Sequence, residues 1–382
     1  MNFLLLLSLA GTWQNGTPMP DPGYGFACAA VGNRIYTIGG LADAHEFTVA
    51  RSTVEAYDVE RDTWLTGFPP LPRARGFAGC AVLDGKIYVI GGTDMHTEFR
   101  RVDRFDPAGN TWDTVAPLPW SRQGLAACEF QGSIYAIGGY GSSGGGQFCR
   151  TTARFVPDGG VGSWEIVDSM ESARTGLGVA IAGDRICAVG GWFYSSLSSV
   201  EYYLPNQWTL FQSSMHAVRY GLGVVGYGHF ICAIAGRNRY EYLGTVELFD
   251  ESLDLWQDVD DPLSAPRAYV GAAVVGKRIY VIGGQSSRGT VGTVEISDST
   301  PSGIAETPPK TIPPTAECAL LFRDRVRLSD EAGRRIEILD GHGRLVAAGC
   351  GAIDAALPQG VYFAQTGTAG SGRTTRKVTV IR

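Results

Sequence analysis

A repeat of about fifty residues runs through the first three quarters of the chain. Six tryptophans each lie 26 or 27 residues before a glycine doublet or its near equivalent. A short apolar run such as Ile87–Ile90 precedes each doublet, and such runs are typical of strands buried on both faces. A period of this length predicts a propeller or a solenoid. The tryptophans and the first residues of their doublets are Trp13 and Gly39, Trp64 and Gly91, Trp112 and Gly138, Trp164 and Gly190, Trp208 and Ala235, and Trp256 and Gly283.

Each repeat divides into four strand-like runs, which are clearest in the second repeat. An inner strand over Arg75–Leu83 and a return strand over Ile87–Ile90 are followed by a third strand over Val102–Phe105 and an outer strand around Trp112. Four antiparallel strands form one propeller blade. Glycine at the end of the second strand predicts close approach of a neighbouring backbone or of a large ring such as the tryptophan. In this pattern the chain resembles the kelch repeat.

The number of blades follows from the first and last repeats. After the last doublet comes a third strand, Thr293–Ile296, but no further tryptophan. Gly11–Gln14 matches the outer strand around Trp112, so the amino end can supply the missing strand. We therefore predict an all-β chain with a six-bladed kelch-type β-propeller over residues 11–298, closed by an N-terminal outer strand, and a small C-terminal β-sandwich-like domain. Closure removes the exposed edges of an open array.

The composition changes after the repeats. Residues 299–316 are rich in proline and predict an extended linker. Residues 317–382 contain three strand-like runs, and the phrases IEILDGHGRLV, LPQGVYFAQ and TRKVTVIR occur there in this order. This part resembles the C-terminal sorting domain of type IX secretion substrates. The resemblance implies the type IX secretion machinery as a partner, and export to the medium or the outer-membrane surface of a bacterium. An ordinary small β-sandwich that adds stability is the alternative.

The amino end is the place to look for an export signal. Residues 1–10 have an apolar core with small residues at Ser8 and Ala10, which predicts a short or truncated signal peptide. The run lacks a preceding Lys or Arg, and the alternative is a further buried strand. No other segment has the apolar length of a membrane span, so we expect no transmembrane span.

Eight cysteines raise the question of disulfides. Cys28 and Cys80 occupy one position of the inner strand, and Cys187 and Cys232 replace the tyrosine of the apolar run. These positions suit small buried hydrophobic residues, which predicts inert thiols in the propeller. The remaining question is whether Cys318 pairs with Cys350 in the C-terminal domain. The chain contains no CxxC or histidine spacing typical of zinc ligands, and we predict no metal or cofactor.

The loops on one face of the propeller are the candidate binding surface. The connections after the glycine doublets vary in length and should share a face, here called the upper face, with the loops that enter the next inner strands. Variable loops on a rigid scaffold are where binding usually resides. These loops carry aromatic and charged side chains that could bind a protein or a glycan. The candidate ligand-binding residues are His45, His96, Trp192, Tyr194, Arg239, Tyr240 and Tyr242.

A second candidate site consists of arginines at one position of the repeat. Each stands sixteen residues before the first residue of its doublet, and Gly23 takes this place in blade 1. Converging on the channel mouth, they could bind a carboxylate or phosphate. The alternative is a set of structural ion pairs with acids of the third strands, in which pairing within a blade leaves Arg122 without a partner and pairing with the next blade frees Arg174. The repeated arginines are Arg75, Arg122, Arg174, Arg219 and Arg267, and the acids are Glu55, Asp103, Glu201, Glu247 and Glu295, with Ala153 as the exception.

Two classes of function are compatible with these features. The first is an exported binding or adhesion protein that has no chemistry of its own and uses the upper face to bind protein or carbohydrate. The second is a carbohydrate-active enzyme, because six-bladed kelch propellers include a sialic-acid mutarotase. A seven-bladed copper galactose oxidase is disfavoured by the blade number and by the few histidines. The net charge of −6 and the absence of a basic tract argue against a nucleic-acid partner.

Overall fold

The computed structural model describes residues 13–44, 47–141, 147–204, 207–251 and 253–297, together with seven strands of the C-terminal part. Every regular element in these ranges is a β-strand. Within them no helix has the length and apolar character that a membrane crossing needs. The predicted signal peptide over residues 1–10 and the predicted linker over residues 299–316 lie outside the described residues.

Six four-stranded antiparallel sheets form the blades of a propeller, in which sequence order runs from the inner to the outer strand. The first three blades each have all four strands in one continuous stretch of chain. Blade 1 is Ala27–Val31, Arg34–Ile38, Val54–Asp58 and Thr63–Leu65; blade 2 is Gly79–Leu83, Lys86–Ile90, Val102–Asp106 and Thr111–Val115; blade 3 is Ala126–Phe130, Ser133–Ile137, Thr151–Val156 and Ser163–Ser169.

The last three blades repeat this arrangement with one difference at the end. Blade 6 takes its outer strand from the amino end, where Trp13 lies opposite Ser297 and Gly16 lies opposite Val294. The predicted six blades and their closure by an N-terminal strand are therefore confirmed. Blade 4 is Gly178–Ala182, Arg185–Val189, Val200–Leu204 and Gln207–Leu210; blade 5 is Gly223–Tyr227, Phe230–Ile234, Val246–Asp250 and Leu255–Val259; blade 6 is Gly271–Val275, Arg278–Ile282, Val294–Ser297 and Trp13–Gly16.

A closed circle of backbone hydrogen bonds joins the six blades around the central channel. In each blade the residue two positions after the repeated arginine donates its N–H to the equivalent carbonyl of the blade before it, and the six distances lie between 2.5 and 2.9 Å. All six residues have a left-handed backbone, which turns the chain toward the channel. This turn also corrects the predicted inner strand, which begins at Gly79 and not at Arg75. The six residues of this amide ring are Gly25, Phe77, Gly124, Gly176, Gly221 and Tyr269.

The glycine doublets bring each blade against the next. The second residue of each doublet donates its N–H to the carbonyl at the repeated-arginine position of the following blade, at 2.8 to 3.0 Å. A Cβ atom on Gly91 would lie 2.6 Å from the carbonyl oxygen of Arg122, so a side chain there would force the blades apart. The close neighbour of the doublet is therefore a backbone carbonyl, and the suggestion that the tryptophan ring approaches it is wrong.

Four of the six tryptophans of the outer strands have a different role. The indole N–H of Trp112 donates to the carbonyl of Pro69 at 2.9 Å, and that of Trp164 donates to the carbonyl of Ala116 at 2.8 Å. Both acceptors belong to the segment that enters the blade from the preceding outer strand. The indole of Trp13 does the same with Asp261 at 3.0 Å. These tryptophans thus fasten the outer rim of one blade to the chain arriving from its neighbour.

The core is divided into six clusters of buried apolar side chains, one at each interface between blades. All six cysteines of the described propeller are free thiols, as predicted, and five of them belong to this core, while Cys149 lies on a loop of blade 3. Burial raises the pKa of Cys28 and Cys232 to about 12, so both stay protonated and unreactive at neutral pH. The pairing of Cys318 with Cys350 falls outside the described side chains and stays a prediction.

The chain divides into two compact units, Met1–Ala305 and Glu306–Arg382. In the second unit the three predicted strand-like runs are found within Arg335–Leu339, Gly360–Thr366 and Thr374–Ile381. A five-stranded sheet has the order Leu320–Arg323, Thr374–Ile381, Gly360–Thr366, Arg335–Leu339 and Leu345–Cys350, and a separate pair joins Val326–Ser329 to Ala352–Ala355. The sandwich-like form of this unit and its domain boundaries stay predictions.

Trp13→Ala should lower the free energy of unfolding by about 3 kcal/mol, because the change removes a large packed ring at the closing strand of blade 6. It also removes the indole hydrogen bond to Asp261. Trp120→Ala is the control, since Trp120 is 45% exposed in an entry loop and its loss should change stability by less than about 0.5 kcal/mol. Urea unfolding of the two variants measures the difference, and equal stabilities would contradict a closing role for Trp13.

Candidate functional site

The upper face is built from two segments of each blade. In all six blades an isolated β-bridge joins the residue after the repeated-arginine position to the residue after the glycine doublet, as in Gln123 with Tyr140. The predicted sharing of one face by the entry loops and the loops after the doublets is therefore confirmed. Four short hairpins continue these loops. They are Leu41–Ala44 with Phe47–Ala50, Tyr140–Gly141 with Gln147–Phe148, Trp192–Phe193 with Ser195–Ser196, and Gln285–Ser286 with Gly289–Thr290.

The channel opens onto the upper face through a cavity of about 300 Å³ with mostly aromatic walls, here called the aromatic cup. The rings of Trp192 and Tyr220 meet edge to face at 5.1 Å between centroids. On the other side Phe77 and Tyr269 lie 5.0 Å apart. None of the residues that line the cup in the described chain is an acid, a base or a histidine. The lining residues are Phe77, Gln123, Gly124, Tyr140, Thr175, Gly176, Trp192, Tyr220 and Tyr269.

Two walls of the cup have a strained backbone. Phe77 and Tyr269 have φ angles of 53° and 57° at a position where the other four blades have glycine. A bulky side chain in the left-handed region costs about 1 to 3 kcal/mol, and such strain is concentrated at functional sites. This departure is visible when the repeats are aligned, because Phe77 and Tyr269 each stand two residues after a repeated arginine, where the other blades have glycine. The prediction of site residues missed it.

A second group of aromatic side chains lies beside the cup on the hairpins of blades 3 and 4. Phe148 contacts Phe193 at 5.5 Å and Tyr194 at 5.3 Å between ring centroids. Tyr194 is 79% exposed and has a φ of 55°, again left-handed. We call these three residues the aromatic cluster. Exposed aromatic groups held in mutual contact are typical of the anchors of protein interfaces.

The predicted upper-face residues do not share one site but lie in several different environments. Trp192 lines the cup and Tyr194 belongs to the aromatic cluster. Tyr242 packs under the guanidinium of Arg237 at 4.6 Å and donates its hydroxyl to Gln285 at 3.2 Å. The three other described residues are exposed on loops, while His45 lies outside the described residues. The exposed residues are His96, Arg239 and Tyr240.

The repeated arginines do not line the channel mouth. Their exposure is between 0 and 1%, so none of the five presents its guanidinium to a ligand in the channel. Four form ion pairs within their own blade, and the nitrogen to oxygen distance is 2.8 Å from Arg75 to Asp103 and 2.6 Å from Arg174 to Glu201. Arg219 pairs with Glu247, and Arg267 pairs with Glu295. This geometry corresponds to the structural alternative, because the side chains turn into the blade and their carbonyls bind the preceding doublet.

The ion pairs are extended by backbone groups. Glu201 also accepts hydrogen bonds from the N–H groups of Glu171 and Ser172, at 2.6 and 3.1 Å. Burial lowers the pKa of Arg174, and the Glu201 carboxylate counteracts this shift. In blades 4, 5 and 6 the acid of the pair thus also fixes the loop that enters the blade, and each pair neutralises two buried charges.

Blades 1 and 3 depart from this pattern in opposite ways. In blade 1, where Gly23 replaces the arginine, the guanidinium of Arg51 covers the glycine and donates to the carbonyl of Pro22 at 2.8 Å. Arg51 also pairs with Asp21. Burial raises the pKa of Glu55, and the guanidinium of Arg51 partly counteracts this shift. In blade 3 Arg122 donates only to backbone carbonyls, because Ala153 stands where other blades have an acid. Pairing within a blade thus leaves Arg122 unpaired among the described residues, as that alternative predicted.

One group in the described chain has side chains close enough for a metal ion, namely His216, Glu247 and Asp258. The oxygens of Glu247 already accept hydrogen bonds from Arg219 and from the N–H groups of His216 and Ala217. The imidazole of His216 is bonded to Asp258 at 3.0 Å on the surface. This arrangement supports a structural network in place of a metal site.

Arg174→Met should lower the free energy of unfolding by about 3 to 5 kcal/mol, because Glu201 would keep a buried charge without its cation. Arg122→Met should cost much less, since the described partners of Arg122 are backbone carbonyls and include no carboxylate. Arg174 is a better test residue than Arg75, because Asp103 would keep a second cation, Arg101 at 2.6 Å, after the loss of Arg75. Equal losses in urea unfolding would refute the difference in pairing.

Comparison with known proteins agrees with this architecture. Residues 12–191 match a family model described as the KLHDC2/KLHL20/DRC7 Kelch-repeats domain, and residues 266–296 match the Kelch motif. The chain is 33% identical to Kelch-like protein 35 of Mus musculus over 135 residues, which is 34% of this chain and 22% of that protein.

Two further relatives cover more of the chain. Kelch-like protein 23 of Homo sapiens is 26% identical over 267 residues, which is 68% of this chain and 46% of that protein. The F-box/kelch-repeat protein SKIP4 of Arabidopsis thaliana is 31% identical over 169 residues, which is 44% of this chain and 43% of that protein. The chain thus spans less than half the length of each of these relatives. Repeats, blade count and family models together identify the propeller as a six-bladed kelch-repeat domain.

Proposed function

We propose that this protein is a binding protein that holds a protein partner on the upper face of its kelch propeller. The observation that carries the proposal is the strained backbone of Phe77 and Tyr269 at the aromatic cup. Glycine would satisfy the same left-handed turn without strain, as it does in the other four blades. Retaining two aromatic rings at a cost in stability is explained if the rings contact a ligand.

The cup and the aromatic cluster together suit an apolar or aromatic side chain of a partner. The cup supplies aromatic faces with few polar groups, and Gln123 and Thr175 offer hydrogen bonds at its wall. The cluster adds the exposed ring of Tyr194 beside it. Tyr240, which is 88% exposed on the loop of blade 5, extends this surface. Aromatic anchors surrounded by polar loops are the usual composition of a protein interface.

The chemistry of the cup favours binding over catalysis. General acid–base catalysis needs a titratable group within reach of the substrate, usually a histidine or a carboxylate. The only titratable groups in the described lining of the cup are tyrosine hydroxyls, and burial raises the pKa of Tyr269. The mutarotase alternative depended on the repeated arginines as a clamp for a carboxylate. All five are buried in the blades, four of them in ion pairs, which removes the support for that alternative.

A carbohydrate is the second candidate ligand. Trp192 and Tyr220 form an aromatic corner in the cup, and pyranose rings stack on such faces. Gln123 and Thr175 could bind sugar hydroxyls there. A glycan array probed with the purified protein separates the two ligands. Specific glycan binding that is lost in Trp192→Ala would favour carbohydrate over protein.

We also propose that the protein is exported by type IX secretion. The support is the resemblance of the three ordered phrases in residues 317–382 to the sorting domain of type IX substrates. The binding face would then act outside the cell, at the outer-membrane surface or in the medium. This proposal is independent of the ligand, because the resemblance lies outside the propeller.

Phe77→Gly and Tyr269→Gly should each weaken capture of a partner by about tenfold or more, because each removes a ring from the cup. Glycine accepts the left-handed φ, so the folded propeller should persist. Tyr227→Ala is the control, since Tyr227 ends an inner strand at the opposite face and is 38% exposed. The assay is capture of surface proteins on immobilised full-length variants. Undiminished capture by both glycine variants would refute binding at the cup.

Deletion of residues 317–382 should leave a folded propeller that is retained inside the cell envelope. Fusion of residues 299–382 to an unrelated exported passenger is the converse test, and it should bring the passenger to the surface through type IX secretion. Cell fractionation with surface protease digestion measures both outcomes. Normal surface levels of the truncated protein would refute the sorting role without affecting the proposed binding site.

A further inference from the structure

Arg122 differs from the other repeated arginines in its charge balance. Its side chain is fully buried, and its only hydrogen-bond acceptors among the described residues are the carbonyls of Gly138 and Thr151, at 3.1 and 3.3 Å. The Nη2 and Nε atoms are buried without a partner. Nε lacks a partner in all five arginines, and Nη2 also lacks one in Arg267, but Arg267 has Glu295 as its ion-pair partner. A buried guanidinium without a counter-charge is costly to a fold.

A second polar atom beside Arg122 also lacks a partner. In blades 4 and 5 the hydroxyls of Ser199 and Thr245 accept a hydrogen bond from Nη2 of their arginine, at 3.2 and 3.1 Å. The equivalent hydroxyl in blade 3 is Oγ1 of Thr151, which is buried and unpaired. Blade 6 shares this feature at Thr293, but there Glu295 supplies the negative charge. Blade 3 therefore combines an unpaired cation with an unpaired hydroxyl.

Neighbouring groups do not supply the missing charge. Ala153 occupies the position of the acid, and the undescribed residues 142–146 contain only serine and glycine. Among the described residues, Cys149 is the one titratable group with an electrostatic influence on Arg122. Burial raises the pKa of the Cys149 thiol, and its sulfur donates toward the carbonyl of Gln147 at 3.8 Å. The thiol thus stays neutral at neutral pH.

We propose that blade 3 binds a small carboxylate anion between Arg122 and Thr151, where the other blades hold an acidic side chain. A glutamate extends beyond the methyl group of alanine by one methylene and one carboxylate, which is the size of acetate. Nη2 of Arg122 would donate to one carboxylate oxygen, and the hydroxyl of Thr151 would donate to the anion as well. Arg122 and Ala153 are both completely buried, so the anion would be enclosed within the blade, as the acidic side chains of the other blades are.

The bound anion would have a structural role. It would complete the ion pair that each of the other repeated arginines makes with a side chain, and so hold the entry loop of blade 3 in place. The stability of the propeller would then depend on the concentration of a small anion in its surroundings. The upper-face ligand is not involved, so this inference stands apart from the proposed binding function.

The test is the melting temperature of the full-length protein in a titration of sodium acetate against sodium gluconate at constant sodium. Acetate should raise the melting temperature of the wild type saturably by about 2–4 °C, because it binds only the folded state. Gluconate keeps the ionic strength equal and is too large for the site. Ala153→Glu should melt higher than the wild type in gluconate and should not respond to acetate.

Two further variants keep the proposal testable if Ala153→Glu does not fold. Arg122→Met removes the cation and should abolish the response to acetate. Glu201→Ala creates the same arrangement in blade 4 and should enlarge the response. The absence of a saturable acetate effect in the wild type would overturn the proposal, as would an equal effect in Arg122→Met.

Discussion

Closure of the ring is the constraint on which the rest of the molecule depends. The strand Trp13–Gly16 pairs with Val294–Ser297, so the two ends of the propeller meet in one blade. Only then can the amide ring return from Tyr269 to Gly25 and complete six hydrogen bonds around the channel. A closed sheet array has no free edge between its blades, and each interface buries its own apolar cluster. The loops of the upper face are thereby held on a rigid support.

The position of the repeated arginine has two separate roles in this ring. Its carbonyl accepts the amide of the preceding glycine doublet, and in four blades its side chain pairs with an acid of its own blade. A backbone contact between blades and an ion pair within a blade thus originate from one residue. The arrangement explains why Gly23 can replace the arginine in blade 1, because the carbonyl remains and Arg51 brings a guanidinium from another loop.

The upper face shows how a symmetric scaffold acquires a specific site. Four blades satisfy the turn of the amide ring with glycine, and two satisfy it with aromatic residues at a cost in backbone strain. Phe77 and Tyr269 flank blade 1 on either side and narrow the channel mouth there. Trp192 and Tyr220 form the opposite wall of the cup. Departures from the repeat, more than the repeat itself, therefore make the candidate binding surface.

The sequence by itself determined the number of blades, the closing strand and the alternatives for the arginines, because these follow from periodic spacing. The regular offset of tryptophan and glycine identified the blades, and the unmatched Trp13 identified the closure. Only the tertiary structure decided where the side chains point. The position of Arg122 in the repeat is compatible with a side chain that lines the channel, yet this side chain is buried. The left-handed turn two residues later brings the backbone to the channel in its place. The cup likewise depends on contacts between distant blades, which no local pattern contains.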